Sequence, residues 1–314
     1  MIRAILLSTL LAAPLAAEPG ADALLREHLW NQVRSMPTED RPTVGLVLSA
    51  GAVRGVAHVG VIQVLEDAGF PIDVVAGTSM GAVVGSLYAA GLDMTTLRSF
   101  PQNLKLNSGN NMNSVRLISL LINDSLMSTK PLERELAKWI GEKRFDQTNK
   151  PFACVAMDIR TGEKIIFRDG ELAPAVRASM NLPGIFKPVL YRHRYLVDGG
   201  VVDYIPVDAA KLLGAEWTIA SVTEADYTKS TPTNVLSTLE QIFDIRGSLL
   251  ARAQKTEANM LIEPEVAEVR YYDIDRAQWV MEKGMEAAGQ RIEAAKESLI
   301  LFTLPRLWKS WSKR

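Results

Sequence analysis

The sequence predicts an α/β domain built on a mostly parallel sheet with helices on both faces. Three observations carry this. Short runs of continuous apolar residues have strand length, the first two are each followed by a helical stretch, and the loops around them hold glycine and small residues. The chain has 314 residues, 47% of them hydrophobic and 23% charged, which suits a globular protein and excludes a disordered or collagen-like one.

The elements follow in order. Val44 to Leu48 reads as a buried strand, Ser49 to Gly55 as a small-residue loop, and Val56 to Ala68 as a helix with Ala57, Val61, Val64, Leu65 and Ala68 on one face. Ile72 to Ala76 reads as a second strand and Met80 to Ala90 as a second helix. Later elements are a helix from Leu132 to Ile140, strands near Phe152 to Met157 and Lys164 to Arg168, a helix from Pro174 to Met180 and a strand from Trp217 to Val222. Beyond residue 228 the character changes to long amphipathic helices with few strand signals. There Met281, Met285, Ala288, Ile292, Ala295, Leu299 and Phe302 form one seam expected to pack on the core. The expected organisation is a signal peptide over 1–17, a linker or short helix over 18–42, a catalytic domain over 43–228, and a helical C-terminal region over 229–314.

The first seventeen residues place Arg3 before a short apolar run and then small residues, the pattern of a secretory signal peptide. That run is too short to span a bilayer, which needs about 20 residues. A periplasmic or secreted location, with possible membrane association, is the expectation. The formal charge of −1 gives no electrostatic case for nucleic acid. A single cysteine, Cys154, excludes an intrachain disulfide framework and multi-cysteine metal sites. The three histidines, His28, His58 and His193, form no metal-ligand spacing, so no metal site is expected.

Gly77-Thr78-Ser79-Met80-Gly81 is a GxSxG sequence between a predicted strand and a predicted helix. In that setting the glycines permit a sharp turn that presents the serine hydroxyl at the carboxyl edge of the sheet, whereas a plain turn would use Ser79 only as a helix cap. The pentapeptide alone arises by chance in roughly one chain in ten of this length. A nucleophilic serine needs a base and donors for the oxyanion it generates. A triad of Ser79, Asp158 and His193 has the required order, but His193 sits in Tyr191-Arg192-His193-Arg194-Tyr195, which reads as a surface hairpin turn. The alternative base is Asp198, which follows a short apolar run and precedes Gly199 and Gly200. An aspartate deprotonates a serine directly if the site is dry and close.

These residues resemble the patatin-like phospholipases. Val47 to Val61 looks like their glycine-rich opening, Gly77 to Gly81 follows at their spacing, and Asp198-Gly199-Gly200 resembles their aspartate motif. Ala156 to Glu163 and Ala178 to Val189 are similar to further blocks of the bacterial members. The match runs from about residue 43 to 222. The resemblance implies a three-layer α/β/α fold and hydrolysis of acyl esters, with phospholipid or lysophospholipid as the substrate class and no cofactor. It implies Ser79 as nucleophile, Asp198 as base, and the backbone N–H groups of Gly51, Ala52, Val53 and Arg54 as the oxyanion hole; Asp158 becomes structural.

The sequence departs from the pattern at Ala50-Gly51-Ala52, where three glycines are usual. An alanine forced to positive φ costs about 1 kcal/mol or more. This motivates an alternative, a catalytically weak patatin-like protein that binds lipid or a partner. A dinucleotide-binding fold is the poorer rival, since its GxGxxG would fall on Ala50, Ala52 and Gly55. At the C-terminal end Arg306, Lys309, Lys313 and Arg314 alternate with Leu304, Leu307, Trp308 and Trp311, a pattern that suits either contact with a lipid interface or packing on the domain.

Overall fold

The computed structural model describes residues 21–99, 128–229 and 231–312. The signal-peptide expectation over 1–17 lies outside them, as do the terminal Lys313 and Arg314. Within these segments the strands are β1 (Val44–Leu48), β2 (Val74–Thr78), β3 (Phe152–Asp158), β4 (Lys164–Phe167), β5 (Val189–Tyr191), β6 (Arg194–Asp198), β7 (Trp217–Ser221) and β8 (Met260–Ile262). The principal helices are α1 (Ala21–Ser35), α2 (Ala57–Asp67), α3 (Met80–Ala89), α4 (Lys130–Ile140), α5 (Leu172–Ser179), α6 (Val207–Leu212), α7 (Val235–Gln254) and α8 (Ala277–Trp311).

The strands form one sheet in the order β5-β6-β3-β2-β1-β7-β8, with β4 on the other edge of β3. Pairs among β1, β2, β3, β7 and β8 are parallel, and β4, β5 and β6 run antiparallel to their neighbours. Period-two alternation divides the side chains between two cores. Leu46, Leu48, Val75, Cys154 and Ile219 face one core with α2, α3, α5 and α8. Val47, Ala76, Val155 and Ala220 face the other with α6 and Ala251 of α7. This is the three-layer arrangement that the resemblance implied.

The second strand begins at Val74 rather than Ile72. Just before it, Asp73 N–H still donates to Val44 O at 2.9 Å, while the Asp73 carboxylate accepts from Arg41 at 2.5 Å on both oxygens and from Val44 N–H at 2.7 Å. The segment 18–42, read as a linker or short helix, contains α1, whose Trp30 and Val33 are buried and whose Trp30 ring packs on Phe70. The C-terminal region is not purely helical, because β8 pairs with β7 as an edge strand. Its three residues were too short a run to register as a strand. The α8 seam holds at Met281, Ala288, Ala295 and Leu299, which are buried, but Phe302 is 42% exposed and Thr303 takes its place inside. The helix lies against α2 at close range: a methyl group at Gly284 would meet the carbonyl oxygen of Ala57 at 2.0 Å. A periodic pattern of large residues does not reveal such a backbone contact.

Strand register brings two remote parts of the chain together. On β3, residues 154–157 pair with β4, so β2 and β6 must share the opposite edge. They run toward each other along it, with Thr78 beside Val155 and Asp198 beside Ala156. The C-terminal ends of β2 and β6 therefore abut. β1 lies on the far side of β2 with Leu48 beside Gly77, which sets the loop after β1 at the same rim.

Candidate active site

Ser79 stands between β2 and α3 with φ 55° and ψ −122°, a conformation that few non-glycine residues adopt. Its neighbours make that turn possible. A methyl group at Gly77 would come within 2.3 Å of the Gly81 carbonyl oxygen, and one at Gly81 within 2.2 Å of the Leu48 carbonyl oxygen. Only hydrogen fits at either position, so both glycines of the GxSxG sequence are required by packing.

The Ser79 hydroxyl donates to Asp198 Oδ2 at 2.7 Å. Asp198 Oδ1 accepts from Gly200 N–H at 2.7 Å, which fixes the carboxylate plane through the Asp-Gly-Gly turn. Burial pushes the Asp198 carboxyl up to about 7, against the opposing pull of the hydrogen bonds from Ser79 and Gly200. A carboxylate poised near neutrality is a far better proton acceptor than one at its ordinary value.

The segment after β1 supplies the third component. Ala50 N–H donates to Tyr204 O at 2.9 Å. Gly51 then begins the short 3₁₀ turn Ala52–Val56, whose first N–H groups precede any intrahelical acceptor. Gly51 and Ala52 line the same small chamber as Ser79 and Asp198. The two departures from glycine are now explained separately. Ala50 lies opposite Gly200, at which a methyl group would come within 3.0 Å of the Ala50 methyl, so the missing glycine at one position is compensated by one across the chamber. Ala52 takes φ 48°, in the left-handed region, and carries the conformational cost of about 1 kcal/mol. Gly51 is the position that tolerates no side chain, because a methyl there would lie 2.2 Å from Thr223 Oγ1.

The chamber is also lined by Leu182, Val201, Phe243 and Tyr271 and has a volume of about 20 Å³, close to the room for one water. Ser79 is only 8% exposed.

Two groups that sequence reading did not single out hold the centre in place. Ser79 N–H donates to Ser179 Oγ at 3.0 Å, and Asp198 N–H donates to Asn181 O at 3.0 Å. One segment at the end of α5 thus grips both strand ends, which gives a physical role to the block from Ala178 to Val189. The expected effect of Ser179→Ala is a loss of about 1 kcal/mol in thermal or denaturant unfolding, the ordinary worth of one such bond, with a several-fold slower reaction at Ser79.

The triad of Ser79, Asp158 and His193 is not assembled. His193 occupies the β5–β6 hairpin turn with φ 63°, at the far end of β6 from Asp198, about 16 Å along an extended strand. Asp158 accepts from Arg160 N–H at 3.0 Å and pairs with Arg194 at 3.4 Å, a structural role. His58 is fully buried between Ser221 Oγ and Ser49 O, at 2.8 Å and 3.0 Å, and burial lowers its pKa to about 4, so it stays neutral at physiological pH.

Comparison with known proteins adds independent support for the fold's ancestry. The chain is 35% identical over 184 residues to an uncharacterized NTE family protein of Mycobacterium tuberculosis, an alignment covering 57% of this chain and 48% of that one. It is 34% identical over 173 residues to lysophospholipase nte1 of Aspergillus fumigatus, covering 55% of this chain and 11% of the fungal protein. The match thus spans about half the length of the mycobacterial relative and about a tenth of the fungal one. Among solved structures, VipD from Legionella pneumophila gives a TM-score of 0.44 at 14% identity over 80% of this chain and 67% of that one. ExoU from Pseudomonas aeruginosa, in its complex with SpcU, gives 0.45 at 14% identity over 81% and 53%. At this level of likeness nothing about the site is inferred from them. The sequence model of the patatin-like phospholipases matches residues 46–211, more than half of the chain, and takes in the end of β1, the GxSxG turn and the Asp-Gly-Gly turn alike: the chain belongs to the patatin-like phospholipase family.

Proposed function

We propose that the chain is a serine acyl-ester hydrolase of phospholipase A or lysophospholipase type, working through Ser79 and Asp198. The observation that carries this reading is the 2.7 Å hydrogen bond from the Ser79 hydroxyl to the buried Asp198 carboxylate. Asp198 takes the Oγ proton as Oγ attacks the ester carbonyl. The carbonyl oxygen becomes an oxyanion facing the N–H groups of the Gly51 to Arg54 segment, where the end of a short helix favours negative charge. As the tetrahedral intermediate collapses, the C–O bond to the leaving alcohol breaks and Asp198 returns the proton to that alcohol. Water then repeats the sequence on the acyl-serine, with Asp198 again acting first as base and then as acid.

Ala52 supports a second reading, in which the protein binds lipid or a partner and turns over weakly, because its strained backbone is where the N–H array would be disturbed. The two readings separate on one measurement. A fluorophosphonate probe reacts with Ser79 in an active hydrolase, and hydrolysis of short-chain esters and lysophospholipid disappears as labelling completes. An unlabelled Ser79 together with retained lipid binding would favour the weak binder.

The C-terminal tail is a continuation of α8. Leu307 is buried, Arg306 donates to Glu216 Oε1 at 2.5 Å and Trp311 donates its indole N–H to Gln32 at 2.9 Å, so part of the tail is anchored on the domain. Trp308 remains 72% exposed beside Lys309. The proposed membrane contact is peripheral and centred on Trp308; among the described residues no helix is long and apolar enough to cross a membrane. Trp308→Glu is expected to reduce co-sedimentation with anionic vesicles several-fold while leaving unfolding unchanged, and equal binding by both proteins would defeat the idea. Export to the periplasm or beyond is part of the same proposal, resting on the pattern of the first seventeen residues.

A further inference from the structure

Arg54 stands at the end of the segment that lines the chamber, yet its side chain leaves that segment altogether. Its guanidinium is buried, 1% exposed, and donates from Nη2 to Asp244 Oδ1 of α7 at 2.6 Å and from Nη1 to Val269 O at 2.8 Å. It also lies 5.1 Å from the centre of the Tyr271 ring. Burial on its own lowers the guanidinium pKa, and Asp244 together with Tyr204 and Tyr271 more than offsets this, so the group is held charged. The Asp244 carboxyl is raised by burial and pulled back by Arg54. The Arg54 side chain is 2% exposed and that of Asp244 14%, so Arg54 depends on Asp244 as its charge partner. Asp244, Val269 and Tyr271 all lie beyond residue 211, outside the part of the chain that the family shares.

We propose that Asp244 is a positioning residue for the reaction at Ser79, holding Arg54 and through it the N–H groups of Gly51 to Val53 against the chamber. The inference rests on the hydrolase reading above. Ala50 N–H is held by Tyr204 O and Val53 and Val56 are buried, but between these anchors Gly51 admits no side chain and Ala52 sits in a strained conformation, so this stretch is inclined to relax away from the chamber once the Arg54 anchor is cut. Because oxyanion donors act only when placed within a few tenths of an ångström, a small displacement has a large kinetic effect. The C-terminal region thereby acts as a buttress of the active centre as well as a cover for it.

The test compares full-length wild type with Asp244→Ala, Asp244→Glu and, as a control for stability alone, Asp73→Asn. Asp73 belongs to another well-buried ion pair, with Arg41, at the opposite end of β1. Asp244→Ala is expected to lower kcat on a short-chain ester and the rate of fluorophosphonate labelling by the same factor, roughly 10- to 100-fold, with KM within about threefold. Asp244→Glu recovers part of the loss, and Asp73→Asn loses thermal stability with kcat unchanged. Amide hydrogen exchange over Gly51 to Val56 is expected to speed up in Asp244→Ala and not in Asp73→Asn. An unchanged kcat and exchange rate in Asp244→Ala overturns the proposal. So does faster labelling, which would make the ion pair a latch closing the chamber, or an equal fall in kcat in the Asp73 control. Wild type that neither hydrolyses esters nor labels at Ser79 defeats the hydrolase reading instead, and the exchange comparison then still decides whether Asp244 holds the segment.

Discussion

Ser79→Ala and Asp198→Asn are each expected to reduce ester hydrolysis at least 10³-fold, with the folded structure kept in both. The two losses arise differently. Alanine at 79 removes the attacking oxygen, so no acyl-enzyme forms and fluorophosphonate labelling is absent. Asparagine at 198 keeps a side chain of the same shape and an oxygen that accepts from the serine hydroxyl, but it takes up no proton as Oγ attacks. Residues acting as one unit are strongly non-additive, so the double variant is expected to be little worse than either single one. Initial rates on a chromogenic short-chain ester, with circular dichroism confirming the fold, are the measurement. Full activity in either variant refutes the assignment of that residue.

Lowering the pH is expected to switch the reaction off through Asp198 while making the fold more secure at the same group. With the carboxyl raised from 3.8 to about 7, the base is lost by protonation below neutrality, and kcat/KM falls about tenfold per pH step of one in the acid range. The stability effect has the opposite sense. Below pH ~4 the group is protonated in both folded and unfolded chains, and its contribution is fully present. Between pH ~4 and ~7 the unfolded chain has released a proton that the folded chain keeps, so stability falls as pH rises through this window. The change amounts to something on the order of 4 kcal/mol. Asp198→Asn lacks this titration and retains the rest, including Asp203, whose carboxyl is likewise raised by burial. Its Tm relative to wild type is therefore expected to rise between pH 4 and 7 and then level off, leaving a variant that is inactive but more stable at pH 8. Parallel pH dependence of the two melting curves would mean that Asp198 is not the buried, perturbed carboxyl described above.

Most of the fold was legible from local pattern. Continuous apolar runs identified β1, β3, β4 and β7, and the helices α2, α3, α4 and α5 followed from their apolar spacing. The elements that escaped were either too short or too dependent on context. β5 and β8 have three residues each, and α6 six, so none reaches two full periods of its pattern. The second strand begins two residues later than the apolar run from Ile72 to Ala76 suggests, with Asp73 turning its carboxylate to Arg41 and to Val44 N–H, partners that nothing within the run announces. In the site, the sharp turns at Ser79 and Asp198 were legible in the glycines beside them, the pairing of the two rested on the family resemblance, and only the structure shows that Ala52 rather than Ala50 takes positive φ. Ser179, Asn181 and Asp244 were not, since an ordinary polar residue carries no mark of the partner it will meet.

What the sequence determined by itself is the set of local constraints: which runs must be buried, where the chain must turn sharply, and which residue types stand ready at those turns. A side chain's hydrophobicity and a glycine's steric allowance are properties of the residue, so they survive removal from context. Only the tertiary structure decided that β2 and β6 meet end to end on one edge of β3, that Gly200 makes room for Ala50, and that a carboxylate from α7 grips Arg54 from outside the shared family region. Those outcomes depend on register and burial. Both are set by the packing of segments more than a hundred residues apart in sequence, as with the hydroxyl and carboxylate of Ser79 and Asp198.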